Sequence, residues 1–501
     1  MQPLLIVRDA LCRIGRQRVL KIAEFSIEQG QHWCLFGPNG AGKSLLGKLI
    51  AGKRIESGNY VHYIAGFNPD RDIHSVSFEE QQRLWQRDNR LDISEYSANA
   101  QDIGTRVEDL VRSARPGEQQ EQGRLQELLN TLDLGAVADQ GIRFLSSGQI
   151  RKVLLARALY SQRQGAPQLL ILDDPLESID KDSQQRIRQC IQRYLLDGFS
   201  SLQFCRRAAD ILPGVTHLAV MDNLQIKIQG SIAEITASEE FTRQLAVQPV
   251  LPEKIPPGPA GTSAVMSNDE PLIRLEQVNA SYGDLPVLSD INWCMKASHH
   301  VLIEGPNGCG KSTLLSLIDG ENHKGYGQAV YLFGRRKGSG ETVWDVKAQF
   351  GIVSNELHNK YVKGWRVLDV VVSGFYDSVG LYDDSGAAEW DIAKQWMAAL
   401  GITELARNYY HEISFGQQRL VLLARAMVKH PRILILDEPC VGLDDYHRTL
   451  ILQMLDLIAA QSPTRIVYVS HVVGEQPGCI NQRLSFVRSE KGGYTLAQSA
   501  L

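Results

Sequence analysis

The sequence lacks long apolar runs and a recognisable leader. It contains no stretch of about 18 consecutive apolar residues, the length that a membrane-spanning helix requires. Its first residues show no charged segment followed by a long apolar one, so no secretory signal is predicted. With 43% hydrophobic and 22% charged residues, the composition is that of a globular protein. We therefore expect a cytoplasmic protein.

Paired cysteines and a strong charge imbalance are also missing. The eight cysteines are scattered and include no Cys-x-x-Cys pair, which favours reduced thiols over a disulfide or metal role. The formal net charge of −4 is small for 501 residues. Nucleic acid is therefore not indicated as a partner by the overall charge, although local basic surfaces remain compatible with it.

What the chain does contain is a repeat. The octapeptide GPNGAGKS at residues 37–44 recurs as GPNGCGKS at residues 305–312, and LSSGQ at 145–149 recurs as ISFGQ at 413–417. The apolar segment LLILDD that ends at Asp174 matches ILILDE, which ends at Glu438. Three motifs in one order predict duplicated domains.

The predicted domains are residues 1–247 and residues 272–501, joined by residues 248–271. This joining segment carries five prolines and little apolar periodicity. We interpret it as a semi-extended tether, and the alternative is an irregular loop packed on one domain.

In each half an apolar strand enters a glycine-rich loop and a helix leaves it. The strands are predicted at 33–36 and 301–303, and the helices at 43–51 and 311–319. Gly52 and Gly320 follow these helices and suit left-handed C-caps. This order of elements is the context of a phosphate-binding loop, and it predicts an α/β fold with a largely parallel buried sheet.

Each loop has the pattern G-x-x-x-x-G-K-S, in which glycines let backbone N–H groups converge on one point beside a helix N-terminus. Lys43 and Lys311 would bridge nucleotide phosphates, and Ser44 and Ser312 would ligate Mg²⁺. The predicted ATP-binding residues of the loops are Gly37, Pro38, Asn39, Gly40, Ala41, Gly42, Lys43 and Ser44, and Gly305, Pro306, Asn307, Gly308, Cys309, Gly310, Lys311, Ser312 and Thr313.

Acidic pairs follow the later apolar strands. Asp173 and Asp437 are predicted to hold Mg²⁺, because such a strand delivers its last residue to the ligand edge of the sheet. Glu438 is placed to polarise the attacking water. Asp174 is one methylene shorter, and a shortfall of about 1 Å at a reacting group costs on the order of 10²-fold in rate. The alternative is that Asp174 only caps the turn at Pro175.

LSSGQ and ISFGQ, together with the two loops and the two acidic pairs, resemble the ABC ATPases. The resemblance implies two tandem P-loop NTPase domains, each with a mostly parallel sheet, an antiparallel β subdomain and a helical subdomain that carries the signature pentapeptide. It also implies a head-to-tail pairing of the two domains, in which each signature completes the ATP site of the other domain. The signature residues are Ser146, Gly148 and Gln149, and Ser414, Gly416 and Gln417.

The resemblance also implies that the two ATP sites are unequal. His471 matches the family's switch histidine, and Tyr282 lies where the family stacks an aromatic on adenine. In the first half, Ile14 and Arg207 are expected at these two positions. Arg207 would still pair with a phosphate, but it is permanently charged and does not replace histidine. We therefore predict a complete second site and a degenerate first site.

A further departure concerns the family's Q-loop glutamine, which couples the ATPase to a membrane partner. Asn355 occupies its place in the second half, and Glu79, Gln81 and Gln82 are the candidates in the first. These changes weaken the case for coupling to a transporter.

Residues 332–347 and 373–382 resemble ModF-type twin ATP-binding proteins, a family linked to molybdenum transport and to photorepair. Two interpretations stay open. The chain energises or regulates a membrane permease for molybdate or another oxyanion from the cytosolic face, or it is a soluble ATP-driven switch that acts on a protein or nucleic-acid partner.

Overall fold

The computed structural model describes residues 3–501 except 15–17, 54–59, 91–103, 116–121, 164, 178, 180, 197, 260–268, 270, 283–284, 307, 321, 362–363, 382–384, 471 and 473. The chain divides into two compact units, Met1–Val247 and Gln248–Leu501. Among the residues that the structure describes, no helix is long and apolar enough to cross a membrane.

The first unit holds a nine-stranded sheet, flanked by helices. Its strands are β1 Pro3–Ile14, β2 Arg18–Glu28, β3 His32–Phe36, β4 Val61–Tyr63, β5 Ile73–Val76, β6 Leu169–Asp173, β7 Ser200–Cys205, β8 His217–Asp222 and β9 Gln225–Ser231. Its helices are α1 Lys43–Ile50, α2 Pro69–Asp72, α3 Phe78–Arg90, α4 Val107–Arg112, α5 Gln122–Thr131, α6 Ser147–Tyr160, α7 Lys181–Leu196, α8 Ile232–Thr236 and α9 Glu239–Leu245. The strand order is β4-β1-β2-β9-β8-β3-β7-β6-β5.

The second unit repeats this plan with a ten-stranded sheet. Its strands are β10 Pro271–Tyr282, β11 Leu285–Lys296, β12 Val301–Glu304, β13 Ala329–Leu332, β14 Arg335–Arg336, β15 Phe350–Val353, β16 Ile433–Asp437, β17 Arg465–Val469, β18 Gln482–Arg488 and β19 Tyr494–Ala500. Its helices are α10 Lys311–Ile318, α11 Val343–Lys347, α12 Asn355–Lys360, α13 Val367–Val372, α14 Ala387–Ala399, α15 Phe415–Met427 and α16 Asp445–Gln461. The strand order is β14-β13-β10-β11-β19-β18-β12-β17-β16-β15.

The centre of each sheet is parallel and its far edge is antiparallel. In the first unit β5, β6, β7, β3 and β8 run parallel, while β1 pairs antiparallel with β2 and β4. Strands β3, β6 and β8 are largely apolar, as expected of a parallel sheet covered by helices on both faces, whereas β7 contains two buried serines and a buried glutamine. The expected α/β fold, with an antiparallel subdomain in each half, is confirmed.

Each unit has a second apolar core that positions the signature helix. In the second unit, α13, α14 and α15 pack around the fully buried ring of Trp396. In the first unit, α4, α5 and α6 form the corresponding core. The signature pentapeptides begin α6 and α15, so the helical subdomains fix both helix starts.

The loops that leave the phosphate-binding helices have the predicted conformation. Gly52 and Gly320 have φ angles of +66° and +92°, a left-handed conformation that glycine adopts without strain. Helices α1 and α10 end one residue earlier than predicted, at Ile50 and Ile318.

Part of the joining segment packs on the second unit. The side chain of Gln461, at the end of α16, donates a hydrogen bond to the carbonyl of Glu253 and accepts one from the N–H of Ile255, both at 2.9 Å. Leu251 and Ile255 pack against the apolar core beneath. For these residues the packed-loop alternative holds. The extent of a separate linker at 248–271 stays a prediction.

Candidate functional site

The two glycine-rich loops have closely similar backbones. Gly42 and Gly310, which precede α1 and α10, have φ angles of +103° and +102°. A Cβ atom at Gly37 would lie 2.1 Å from the carbonyl oxygen of Met221. Glycine is therefore required at these points by conformation or by space, and each loop turns into the N-terminus of its helix.

Both loop lysines fold over their own loop. Lys43 Nζ donates to the carbonyls of Gly37 and Pro38 at 2.6 and 2.9 Å. Lys311 Nζ makes the equivalent bonds to Gly305 and Pro306 at 2.9 and 3.1 Å. Each ammonium group thus lies beside a helix N-terminus, where phosphate oxygens are favoured.

The structure brings Ser44 and Asp173 together at the edge of the first sheet. The Ser44 hydroxyl donates to Oδ2 of Asp173 at 3.3 Å. Hydroxyl and carboxylate oxygens are the ligands that Mg²⁺ prefers, so this pair fits the predicted ion. Within the described ranges no group of three or more His, Cys, Asp or Glu could hold a metal. A Mg²⁺ ion would therefore also need phosphate oxygens and waters.

The strand-end acids lie in crowded, buried surroundings. Burial and the neighbouring Glu438 raise the pKa of Asp437 to about 6, and Lys311 opposes the shift. Burial and Asp174 likewise raise the pKa of Asp173, while Arg206 and Lys43 oppose the shift. A nearby cation favours the ionised form of each acid.

Asp174 and Glu438 occupy equivalent positions. Both have left-handed backbones, with φ angles of +45° and +50°, which is uncommon for residues other than glycine and is a feature of functional sites. Asp174 N donates to the carbonyl of Phe204 at 3.5 Å, and Glu438 N donates to the carbonyl of Val469 at 3.1 Å. The two acids differ in side-chain length.

Strand register corrects the expected partner of His471. Asp173 pairs with Phe204 as Asp437 pairs with Val469. Counting on from Phe204 and from Val469, the residue two positions later is Arg206 in the first unit and His471 in the second. The assignment of Arg207 to this position is therefore wrong by one residue.

Arg206 is the centre of a buried ion cluster in the first unit. It contacts Oδ2 of Asp174 through Nε at 2.7 Å and through Nη2 at 2.5 Å, and it contacts Glu177 at 3.2 Å. Arg151 donates to the backbone carbonyl of Asp174 at 2.6 Å and lies 3.3 Å from Glu177. Burial alone would lower the pKa of Arg206, but the two carboxylates outweigh it and raise that pKa.

The second unit uses the corresponding arginine differently. Arg419 stands in ISFGQQR where Arg151 stands in LSSGQIR. It donates to the carbonyl of Ser354 at 3.3 Å and to the amide oxygen of Asn355. The residue at the Q-loop position is thus tied to the signature helix.

In the first unit, Glu79 is the Q-loop candidate that lies near Ser44 and Asp173. It forms a 2.7 Å ion pair with Lys48 of α1 and lines a cleft with Ser44 and Asp173. Gln81 is buried, and the side chain of Gln82 lies outside the described part of the chain.

Both signature serines cap their helices. Ser146 accepts a hydrogen bond from the N–H of Gln149 at 3.3 Å, and the Gln149 side chain accepts one from the N–H of Ser146 at 2.9 Å. Ser414 and Gln417 form the same reciprocal pair at 3.3 and 3.0 Å. This capping box stabilises a helix start that presents N–H groups to an anion.

The two signature glycines are buried, and one of them leaves no space for a side chain. Gly148 and Gly416 are both buried. A Cβ atom at Gly416 would lie 2.5 Å from the ring of His447. That ring is fixed by Asp444, whose Oδ1 lies 2.7 Å from His447 Nδ1.

Several predicted residues are not placed. His471 and Asn307 lie outside the described residues, as do the side chains of Tyr282 and Ile14. Pro38 and Gly40 lie on the first loop, and Ala41 and Cys309 are buried beneath the two loops. Asn39, Pro306, Gly308, Ser312 and Thr313 occupy the positions along the loops and helix starts that the motif assigns to them.

Comparison with known proteins agrees with this duplicated fold. Residues 20–177 and residues 288–441 each match the family model described as ABC transporter. The archaeal ribosome recycling factor aABCE1, solved in complex with the archaeal ribosomal stalk protein aP1, aligns with a TM-score of 0.57 and 18% identity. The alignment covers 98% of this chain and 90% of that one, and it shows a shared fold.

Relatives also match over almost the whole length. The ABC transporter ATP-binding protein ModF of Escherichia coli (strain K12) is 34% identical over 492 residues, which cover 95% of each protein. The uncharacterized ABC transporter ATP-binding protein C323.04 of Schizosaccharomyces pombe is 26% identical over 483 residues, which cover 94% of this chain and 95% of that protein. This chain therefore belongs to the ABC transporter ATP-binding proteins, as a ModF-type member with two ATP-binding domains.

Proposed function

We propose that this protein hydrolyses ATP at the site of the second unit, and that the first unit binds ATP but turns it over slowly or not at all. The observation that carries the proposal is the equivalence of Glu438 and Asp174. Their backbones have the same left-handed conformation and the same type of strand contact, so the shorter side chain of Asp174 leaves its carboxylate farther from an attacking water. A misplacement of about 1 Å costs on the order of 10²-fold in rate.

In the second unit, each residue has a separate task in the reaction. Lys311, beside the N-terminus of α10, binds the β- and γ-phosphates. Ser312 and Asp437 would hold Mg²⁺, which neutralises negative charge on the phosphate oxygens. Glu438 accepts a hydrogen bond from the water that attacks the γ-phosphorus, and the bond to the bridging oxygen of ADP breaks. We assign His471 to the γ-phosphate and Tyr282 to the adenine ring.

We propose that the two units close head to tail within one chain. Ser146, Gly148 and Gln149 would then present the start of α6 to the γ-phosphate held by the second loop. Ser414, Gly416 and Gln417 would do the same for the first loop. The capping boxes at both helix starts support this role, because they orient the free N–H groups of the first turn.

The test replaces the two acids separately. Glu438→Gln is expected to abolish steady-state phosphate release, whereas Asp174→Asn is expected to leave it within about twofold of the parent, because the residue contributes nothing to turnover. Asp109→Asn, on α4, is the matched control, because Asp109 belongs to none of the motifs. Loss of turnover in Asp174→Asn with full activity in Glu438→Gln would contradict the proposal.

We further propose that the ATP cycle energises or regulates a membrane permease for molybdate or another oxyanion, at the inner face of the cell membrane. The 34% identity to an ABC transporter ATP-binding protein supports this function. Reconstitution with candidate permeases in vesicles tests it: a permease partner should raise the ATPase rate, and this rise should be absent in Glu438→Gln.

The alternative is a soluble switch that acts on a protein or nucleic-acid partner in the cytoplasm. The contacts of Asn355 support it, because Arg419 engages the amide oxygen at the position where a Q-loop glutamine would couple to a transporter. An ATP-stabilised complex with a soluble partner, together with no response to permeases, would favour this alternative.

A further inference from the structure

The ion cluster around Arg206 lies at the reacting end of the first ATP site. Asp174, one of its members, immediately follows Asp173, the predicted Mg²⁺ ligand. The side chains of Arg206, Asp174 and Glu177 are only 16%, 10% and 19% exposed. Burial strengthens such a pair, because little water remains to compete for the charges.

Arg206 engages the carboxylate of Asp174, the group that the first site would need as a base. Two nitrogens of Arg206 converge on Oδ2 of Asp174 at 2.5 and 2.7 Å. A general base must accept a hydrogen bond from the water it activates, and it must carry uncompensated negative charge to draw the proton. An arginine held against this oxygen opposes both requirements.

The other members hold Arg206 in place. Glu177 lies 3.2 Å from Arg206 and 3.3 Å from Arg151. Arg151 in turn donates to the backbone carbonyl of Asp174 at 2.6 Å. Two guanidinium groups and two carboxylates therefore contact one another in this cluster. Arginine keeps its charge at every accessible pH, so the pair persists across the working range.

The second unit has different residues at the matching positions. His471 stands where Arg206 stands, and Val441 stands where Glu177 stands. Valine offers no carboxylate, so the second unit has no counterpart of the Glu177 carboxylate at this position. The arginine of the second signature helix, Arg419, donates hydrogen bonds to Ser354 and Asn355.

We propose that Arg206 is a positioning residue that holds Asp174 in an ion pair and thereby makes the first ATP site a binding site that does not hydrolyse. This inference rests on the proposed function and adds a cause to it. The short side chain of Asp174 is then only part of the defect. Lengthening it to glutamate leaves Arg206 in place to pair with the new carboxylate.

The test uses full-length protein that carries Glu438→Gln, so that phosphate release reports on the first site alone. Three variants are compared in this background: Asp174→Glu, Asp174→Glu with Arg206→His, and Asp174→Glu with Arg206→Lys. Only the histidine combination is expected to gain turnover, by about 10²-fold over the background, the usual contribution of a general base. The lysine combination keeps the positive charge and should gain none.

A gain of activity cannot come from loss of structure, so this readout separates positioning from folding. Binding of a fluorescent ATP analogue, measured in the same variants, should stay within about threefold of the background. If the histidine combination does not fold, a version that also carries Glu177→Val reproduces three residues of the second unit and removes the carboxylate left without Arg206.

Two results would overturn the inference. One is equal turnover in Asp174→Glu with and without Arg206→His, which would show that Arg206 does not restrain the carboxylate. The other is no gain in the folded, ATP-binding histidine combination. Failure of the proposed function looks different, because Glu438→Gln alone would then retain turnover.

Discussion

The hydroxyl oxygen of Ser44 lies 3.3 Å from Oδ2 of Asp173, although 129 positions separate the two residues along the chain. Strand β6 delivers the carboxylate and the first turn of α1 delivers the hydroxyl, so the sheet topology alone brings the two oxygens together. The Mg²⁺ site that we propose for these two oxygens depends on both groups.

We expect Ser44→Ala to lower the Mg²⁺ affinity of the first ATP site. The variant removes one of two protein oxygens, and loss of a metal-site group costs about 10-fold or more in metal affinity. ATP binding is measured during a Mg²⁺ titration in a Lys311→Ala background, which removes the second loop's lysine. Ser44→Thr keeps the hydroxyl and should behave like the background; equal Mg²⁺ affinity in Ser44→Ala would remove Ser44 from the metal site.

Gly416→Ala is expected to destabilise the start of α15. Its Cβ atom would lie 2.5 Å from the His447 ring, which Asp444 holds in position. Overpacking of this kind costs about 1–3 kcal/mol in the free energy of unfolding. Urea unfolding of the second unit measures the loss.

His447→Ala should relieve this clash, so the double variant is expected to lose less stability than the two single losses added together. Gly123→Ala, on α5 of the first unit, is the control for an unstrained replacement and should leave the unfolding of the second unit unchanged, because no described atom outside its own helix and chain neighbours lies within 4 Å of its Cβ position. Additive losses in the double variant would mean that Gly416 and His447 are not in steric conflict.

Acidification should destabilise the protein through partly buried histidines. Burial lowers the pKa of His358 to about 4, and Arg419 adds to the shift. Burial is also the main reason why the pKa values of His300 and His74 are lowered to about 4. These rings stay neutral in the folded chain below pH 6.5, whereas the unfolded chain binds protons there. Stability is therefore full above about pH 6.5 and falls as the pH drops towards 4.

For His358, the free energy of unfolding is expected to fall by about 1.4 kcal/mol between pH 7.5 and pH 5.5, because pH 5.5 lies one unit below the ordinary histidine pKa. Urea unfolding at the two pH values, compared between the parent and His358→Gln, measures it. The variant should lose less stability on acidification than the parent. An identical pH dependence would mean that His358 titrates normally in the folded protein.

Gln461→Ala is expected to release residues 251–255 from the second unit. The variant removes the hydrogen bonds to Glu253 and Ile255, each worth about 0.5–1.5 kcal/mol. Limited proteolysis within residues 248–259 should become faster. Gln453→Ala, at an exposed position on the same helix, should leave the cleavage rate unchanged, and an unchanged rate in Gln461→Ala would argue against the packed segment.

Much of the fold was predictable because its signals are local. The strand, glycine loop and helix around Lys43 and Lys311 are contiguous in sequence, and the acids that end β6 and β16 follow plain apolar runs. Repetition of each pattern at a nearly constant offset strengthened the prediction.

The rest depends on contacts between distant segments. Arg206 was missed because the sequence alone placed Arg207 opposite His471, whereas strand register fixes the equivalence at Phe204 and Val469. The ion cluster joins residues of α6 to those that follow β6 and β7, and no periodicity reveals it. The packing of Ile255 depends on Gln461, which is 206 positions away.

The nucleotide retained after turnover tests the central claim most directly. The protein is incubated with Mg²⁺ and labelled ATP, separated rapidly from free nucleotide and quenched in acid, and the bound ATP and ADP are counted for the parent and for Lys43→Ala. We predict about one intact ATP for each parent chain and its loss in Lys43→Ala, because the first site binds without hydrolysing. Bound nucleotide that is entirely ADP, or intact ATP that persists in Lys43→Ala, would contradict the account.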